Sequence, residues 1–168
     1  MSRLLRGLAI AMLLVTIAGA AAVLYGLSTM QPEVVQAVAA ATPATQAQET
    51  FDSLLHQLDD GTFAGTQLSD ADGLSAQACT FLTFTVRLKN RGFFPAEWIS
   101  QSVEPKQDGS GRDVLQMGGD GAHVLPAGGV GDLSATVLRT GSADDTARRL
   151  TLTCYVFGRR IDFDAQTE

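Results

Sequence analysis

The sequence has few residues of the kinds that carry catalysis or bind metals. It contains two cysteines and two histidines in 168 residues. The cysteines, Cys79 and Cys154, form no CxxC motif, so a redox-active or metal-binding pair is not expected. A nucleophile elbow, a phosphate-binding loop and an HExxH helix are also absent. We therefore predict no catalytic residue, no cofactor-binding residue and no metal ligand, and we expect the protein not to be an enzyme.

Basic residues are scarce in the first half of the chain. No Lys or Arg occurs between Arg6 and Arg87, and the chain has a net charge of −6. A nucleic-acid-binding domain normally needs a concentrated basic face. A nucleic-acid partner is therefore not expected.

One long apolar run occupies residues 7–30, where no side chain is charged. A bilayer with a hydrocarbon core about 30 Å thick needs about 20 helical residues, so the run predicts a transmembrane anchor within residues 1–31. Arg3 and Arg6 precede it, which by the positive-inside rule predicts a cytoplasmic N-terminus and an extracytoplasmic C-terminal part. Tyr25, near the outer end, suits the membrane interface. The chain is thus expected to be a single-pass protein of the cell membrane.

A cleaved signal peptide is the alternative for the same segment. The start is basic, and Ala37-Val38-Ala39 resembles a small-residue cleavage site. Cleavage would give a secreted soluble protein. The apolar run is longer than the roughly 7–15 residues of a signal-peptide core, which favours an uncleaved anchor. A lipoprotein is excluded because the first cysteine is Cys79.

Small residues lie four apart on the predicted anchor, at Ala18, Ala22 and Gly26. Such a ridge lets transmembrane helices approach closely, so a homodimer through these residues is a hypothesis. An alanine-rich helix also produces this spacing by chance.

Residues 32–78 predict a stalk, then an amphipathic helix near 44–60, then a loop. The stalk is alanine-rich and contains Pro32 and Pro43, which is typical of a tether. The helix has apolar residues at i, i+3, i+4 and i+7, with Gly61 placed to end it. These apolar residues are Phe51, Leu54, Leu55 and Leu58. So short a helix is marginal alone, and we expect its apolar face to dock on the β-domain, with a second copy or another membrane protein as alternatives.

Residues 79–168 predict the β-domain. From Leu82 to Leu88 every second residue is apolar, which is typical of a strand with one buried face. Six to seven such runs are separated by turn residues, and no convincing helix lies between them. The pattern predicts an antiparallel two-sheet sandwich. In the run 96–103, Ile99 and Val103 are expected on the buried side and Trp98 on the other.

The stretch from Val86 to Ala96, VRLKNRGFFPA, resembles the corner of bacterial immunoglobulin-like modules of the cell-adhesion-related (CARDB) kind. Residues 125–137 are similar to a later edge of the same modules. The resemblance covers roughly residues 79–165. It implies an immunoglobulin-like fold and a role in display or adhesion, and it supplies no catalytic residues.

A disulfide between Cys79 and Cys154 is a further hypothesis, since Trp98 lies between them as in true immunoglobulin domains and export permits oxidation. Strand parity opposes it, because Cys79 aligns with Thr83 and Thr85, whereas Cys154 aligns with apolar core positions. A β-bulge after Cys79 would be needed to restore the register. Both outcomes stay open.

Phe93, Phe94 and Trp98 are the candidate contact patch. The two phenylalanines lie at the corner with Pro95, where they either plug the end of the sandwich or, if exposed, contact a partner. Arg87, Lys89 and Arg91 point the same way on the preceding strand and form a basic stripe, which is typical of an exposed sheet face protected by charge.

These features predict a membrane-anchored, extracytoplasmic immunoglobulin-like module for binding, adhesion or scaffolding. The alternative is an accessory subunit of a membrane or envelope complex, which would make its contacts through the anchor and the Phe51–Leu58 helix. The sequence does not identify the protein or envelope partner.

Overall fold

The computed structural model describes residues 2–28, 32–68, 72–118, 124–141 and 146–167. Residues 29–31, which include the end of the predicted apolar run, lie outside the described residues. The elements follow in this order: α1 (Ser2–Ser28), β1 (Pro32–Pro43), a 3-10 turn (Ala44–Ala47), α2 (Gln48–Asp59), β2 (Thr66–Gln67), a 3-10 turn (Ala76–Ala78), β3 (Cys79–Asn90), β4 (Ala96–Val103), β5 (Gln107–Asp108), β6 (Gly111–Met117), β7 (Val124–Leu125), β8 (Val130–Gly141), β9 (Arg149–Val156) and β10 (Arg159–Gln166).

The strands form two antiparallel sheets. The first has the order β1-β3-β8-β6-β2, with β5 added on β6, and the second has the order β10-β9-β4-β7. Buried residues of both sheets join in one core because each long strand turns alternate apolar side chains inward. The largest of them in β3 are Leu82, Phe84, Val86 and Leu88, each at most 1% exposed. The prediction of a mainly β chain with antiparallel sheets behind an apolar helix is confirmed.

The predicted orientation of β4 is also confirmed. Ile99 and Val103 are buried in the shared core, whereas Trp98 is 74% exposed. This strand has one extra residue against β9, since Glu97 pairs with Tyr155 and Ser100 pairs with Thr153. The resulting bulge turns Trp98 away from the core.

The stretch 32–43, which its composition predicts as a tether, is instead the edge strand β1. It pairs with β3 along its whole length, from Pro32 opposite Asn90 to Pro43 opposite Thr80. The prolines that suggested a stalk lie at the two ends of an edge strand, where the missing N–H donors are tolerated. Alanine is a poor strand former, so the strand depends on the long partner β3. The β-domain therefore begins at Pro32, and only residues 29–31 separate it from α1.

α2 covers the outer face of the first sheet. Phe51 and Leu54 are buried in a second cluster with Phe81 and Leu138, and the rings of Phe51 and Phe81 meet edge to face with centroids 6.4 Å apart. The predicted helix and its docking on the β-domain are confirmed.

The end of α2 also follows the prediction. Gly61 has a φ of 65°, in the left-handed region that glycine adopts without strain. The N–H of Thr62 donates to the carbonyl of Gln57 at 3.0 Å, and that of Gly61 donates to Leu58 at 3.2 Å. These two bonds form the Schellman motif that commonly ends helices.

Candidate functional site

The corner between β3 and β4 is held by Asn90, whose side chain is fully buried. Its Nδ2 donates to the carbonyl of Phe94 at 2.8 Å and to that of Leu125 at 3.1 Å. Its Oδ1 accepts from the N–H of Gly92 at 2.8 Å. One amide therefore closes the corner and ties the first sheet to β7 of the second.

This corner presents two phenylalanines in different environments. Phe93 is 70% exposed, whereas Phe94 is partly buried against the core. The ring of Phe94 meets Phe157 edge to face, with centroids 4.8 Å apart. Of the predicted contact patch, Phe93 and Trp98 are thus exposed, and Phe94 is partly buried against the core.

α1 ends against the same corner. The ring centroids of Tyr25 and Phe93 are 6.5 Å apart, and Leu27 packs against the core of the β-domain. Gly26 is so close to Phe94 that an added Cβ would lie 2.0 Å from Cε2 of the ring. The helix end and the corner are therefore one packed unit, which we call the aromatic end of the domain. Its five rings belong to Tyr25, Phe93, Phe94, Trp98 and Phe157.

Two members of the aromatic end have strained backbones. Trp98 has a φ of 50° and Phe157 a φ of 48°, values that bulky L-residues rarely adopt. Phe157 is followed by Gly158 at φ 75°, and this pair of positive values is typical of the type I′ turn that joins β-hairpins. The left-handed conformation costs roughly 1–2 kcal/mol per residue. Both strained residues carry exposed rings, at 74% and 64%.

The predicted basic stripe is largely neutralised. Arg87 donates two hydrogen bonds to the carboxylate of Asp132, at 2.7 and 2.8 Å. Arg91 donates to Glu33, and this bond holds the pKa of Glu33 below its usual value. The partners lie on β8 and β1, 45 and 58 residues away in sequence. The stripe is therefore a row of cross-strand ion pairs, which the sequence alone does not reveal.

The two cysteines are buried free thiols in different clusters. Cys79 lies in the cluster beneath α2, and Cys154 lies in the core shared by the sheets. Burial raises the pKa of both thiols. The structure does not bring the two together, as strand parity indicated.

Only the last residue of the small-residue ridge of α1 contacts the β3–β4 corner. Ala18 and Ala22 are exposed, whereas Gly26 is buried against the ring of Phe94. The last residue of the ridge is therefore already used within the chain. A homodimer through this ridge stays a prediction.

An open cleft of about 550 Å³ lies between α2 and the segment before β2. Its lining includes Glu49, Ser53, Gln57, Phe63 and Met117. Within the described ranges, no group of three His, Cys, Asp or Glu side chains is arranged to hold a metal ion. The cleft carries no cluster with evident chemistry, and the aromatic end is the more distinctive site.

Sequence reasoning missed Phe157 and the contact between α1 and the corner. The sequence does contain a sign of an unusual role for Phe157. This residue directly precedes Gly158, at a hairpin-turn position where Asn, Asp or Gly is usual and a phenylalanine is unexpected. No family model matches the chain, and a comparison with curated proteins finds no match. The geometry of the aromatic end and of α1 therefore carries the functional argument.

Proposed function

We propose that the chain is a single-pass membrane protein that holds its β-domain outside the cytoplasm as an immunoglobulin-like binding or scaffolding module. One observation carries the proposal. The segment Leu5–Ser28 is a helical run of 24 residues whose most apolar window has a mean hydropathy of 2.4, and the domain does not cover that window. Leu8, Leu14 and Leu24 each have more than 60% of their surface exposed. This exposed apolar surface is unfavourable in water and supports a lipid environment around the helix.

Retention of the anchor is favoured over cleavage by two contacts. Leu27 packs against the core of the domain, and Gly26 packs against Phe94, contacts that a removed signal peptide would not need. The triplet Ala37-Val38-Ala39 pairs with residues 84–86 inside β1. Cleavage there would remove more than half of the edge strand.

The immunoglobulin-like assignment rests on strand order. In such domains one sheet has the order A-B-E-D and the other contains C, F and G. Here β1-β3-β8-β6 matches the first order, and β10-β9-β4 matches G-F-C. The Asn90 corner joins the two sheets where strand B passes to strand C. This order supports the immunoglobulin-like part of the proposal, and the role in display or adhesion is what the resemblance of residues 79–165 implies.

The accessory-subunit hypothesis loses one of its two contact surfaces. Phe51 and Leu54 are buried beneath α2, so the apolar face of that helix is already covered. Only the lipid-facing side of α1 remains for a partner within the membrane. The module hypothesis is therefore the better supported of the two.

Topology is tested with a reporter enzyme, active only outside the cytoplasm, fused after Glu168. We expect activity in the membrane fraction and an intact mass that includes the N-terminal residues. The control is Leu13→Arg/Leu14→Arg, which places two charges in the apolar helix and should release the protein from the membrane. A stable but inactive fusion would overturn the orientation, and a mass beginning within β1 would overturn the anchor.

The two functional hypotheses are separated by replacing residues 2–28 with an unrelated transmembrane helix. If the β-domain is the binding module, crosslinked partners in membranes persist after the exchange. If the chain is an accessory subunit held by its anchor, all of them are lost.

A further inference from the structure

We propose that the aromatic end of the β-domain is embedded in the interfacial layer of the same bilayer that α1 spans. The domain would then sit directly on the membrane. This inference rests on the proposed function, since it requires α1 to be a membrane anchor. The ligand of the patch formed by Phe93, Trp98 and Phe157 is in this view the lipid surface itself.

The first step is the depth of Tyr25. A helix of 24 residues is about 36 Å long, and the hydrocarbon core is about 30 Å thick. The last turn of α1, from Tyr25 to Ser28, therefore reaches the headgroup layer. Tyrosine and tryptophan concentrate in that layer because their rings combine an apolar body with a polar edge.

The second step is the contact between Tyr25 and the corner. The ring of Phe93 lies 6.5 Å from that of Tyr25, so the depths of the two rings differ by no more than that distance. Phe94 touches α1 one residue later, at Gly26. α1 ends at Ser28 and β1 begins at Pro32, a separation in sequence that is too short for a long tether. The corner thus continues the surface that the anchor already presents to lipid.

The third step is the strain at Trp98 and Phe157. Both have positive φ, and both point large exposed rings outward. Trp98 is two residues into β4, within about 7 Å of its start, and Phe157 is at the tip of the β9–β10 hairpin. The hairpin turn places Phe157 at the tip and the β4 bulge turns Trp98 outward, and a membrane interface would stabilise the apolar surface that both rings leave exposed. The valines Val124 and Val130, also more than half exposed at this end, extend the apolar surface.

The charges around the aromatic end determine which lipid headgroups it can contact. Arg91 is paired with Glu33, and Arg160 is paired with Asp162. The exposed Glu97 adjoins Trp98. The exposed Arg159 beside the hairpin tip offsets Glu97, and the partly exposed Lys89 is left as the excess charge, so we expect the aromatic end to seat on zwitterionic and anionic bilayers alike.

The opposite end of the domain is suited to face away from lipid. β1 has eleven steps, so its far end lies about 36 Å from the aromatic end. α2 follows that far end and carries Glu49, Asp52 and Asp59 with no Lys or Arg. Anionic headgroups would repel this helix, which favours the same orientation. The cleft beside α2 would then open far from the bilayer.

Trp98 is the single tryptophan of the chain, so its fluorescence tests the proposal in the full-length protein reconstituted in vesicles. The probes are nitroxide-labelled lipids that quench either at the headgroup or deep in the acyl chains, and iodide in the aqueous phase. Two control variants move the tryptophan: Trp98→Phe/Tyr25→Trp reports the end of α1, and Trp98→Phe/His56→Trp reports the exposed surface of α2. Circular dichroism confirms that each variant is folded.

We expect headgroup-labelled lipid to quench Trp98 about as strongly as the Tyr25→Trp control and several-fold more than the His56→Trp control. Iodide should show the reverse order. If the Tyr25→Trp control is quenched by lipid and Trp98 only by iodide, the domain stands clear of the bilayer and the proposal is overturned, leaving the patch to a protein partner. If neither is quenched by lipid, the anchor itself fails, and the seating fails with it.

Discussion

Asp113 and Arg139 form an ion pair in which both side chains are fully buried, with Oδ1 and Nη1 3.1 Å apart. Arg148 binds the same carboxylate, its Nε 3.0 Å from Oδ2 and its Nη2 3.1 Å from Oδ1. Asp108 supplies a second carboxylate to Arg139 at 2.7 Å. Two buried guanidinium groups are thus matched by two carboxylates, which join β5, β6, β8 and the segment before β9.

Asp113→Ala is expected to destabilise the β-domain by about 3–5 kcal/mol, because it leaves two buried cations without their shared carboxylate. The free energy of unfolding of the full-length protein in detergent, from denaturant titration, measures this loss. Asp132→Ala is the matched control, since it removes an exposed partner of Arg87 and should change the stability little. Equal effects of the two substitutions would contradict the structural role of the buried network.

Asp108 is expected to make the domain sensitive to acid. Hydrogen bonds from the Ser110 hydroxyl and N–H, together with Arg139, hold the pKa of Asp108 well below its ordinary value of 3.8. A lowered folded-state pKa adds stability above the unfolded value, and this stability is lost as the pH falls below it. Asp108→Asn should therefore lower the Tm at pH 7, and the difference from the wild type should shrink between pH 4 and pH 2. Parallel Tm curves for the two proteins over that range would exclude the role of this carboxyl group.

Removing the buried side-chain amide of Asn90 is expected to lower the stability of the domain, whereas removing that of Gln101 is not. Asn90→Ala leaves the carbonyls of Phe94 and Leu125 and the N–H of Gly92 without their partner, and we expect a loss of about 1–3 kcal/mol. The side-chain amide of Gln101 is buried and has no hydrogen-bond partner among the described residues. Gln101→Met should therefore leave the stability unchanged or raise it. Denaturant titration of both variants checks the pair, and a larger loss for Gln101→Met would refute the argument.

The sequence predicts the parts of this fold that depend on local pattern. The alternation in β3, the apolar face of α2 and the turn at Gly61 each follow from residues close together in the chain. β1 is not predictable in this way, because its alanines gain a strand conformation only from pairing with β3. The network of Asp113, Arg139 and Arg148 is not predictable from local pattern either, because Arg139 and Arg148 lie 26 and 35 residues from Asp113 in sequence.

The candidate site shows the same division. Phe93 and Trp98 are marked by the corner motif and by strand parity, so the sequence identifies them. Their relation to Tyr25 depends on how α1 meets the domain, where Gly26 packs against Phe94. No periodicity in the sequence encodes that contact.

The cysteines are expected to stay reduced in the folded protein. Cys79 and Cys154 lie in separate clusters, so an oxidant should not join them without unfolding. A thiol reagent should react with neither in the native state, because burial raises the pKa of both thiols and excludes the reagent. Both should react in denaturant under non-reducing conditions. A denatured mass two hydrogens lighter, with no reactive thiol, would show that the disulfide forms.

Gly26→Leu is expected to loosen the junction between α1 and the β-domain. An added Cβ at residue 26 meets the ring of Phe94 at 2.0 Å, so the ring must leave its place beside Phe157. Gly19→Leu is the control on the same helix, because a Cβ at residue 19 meets nothing within 4 Å. The Tm of the full-length protein in vesicles should fall for Gly26→Leu and stay unchanged for Gly19→Leu. Limited proteolysis of the corner should be faster in the first variant alone.

If a protease removed α1 during export, the two mature proteins would be identical, and equal Tm values with a shortened mass would reveal it. Equal Tm values in chains of full mass would instead show that the helix end and the corner are not packed together.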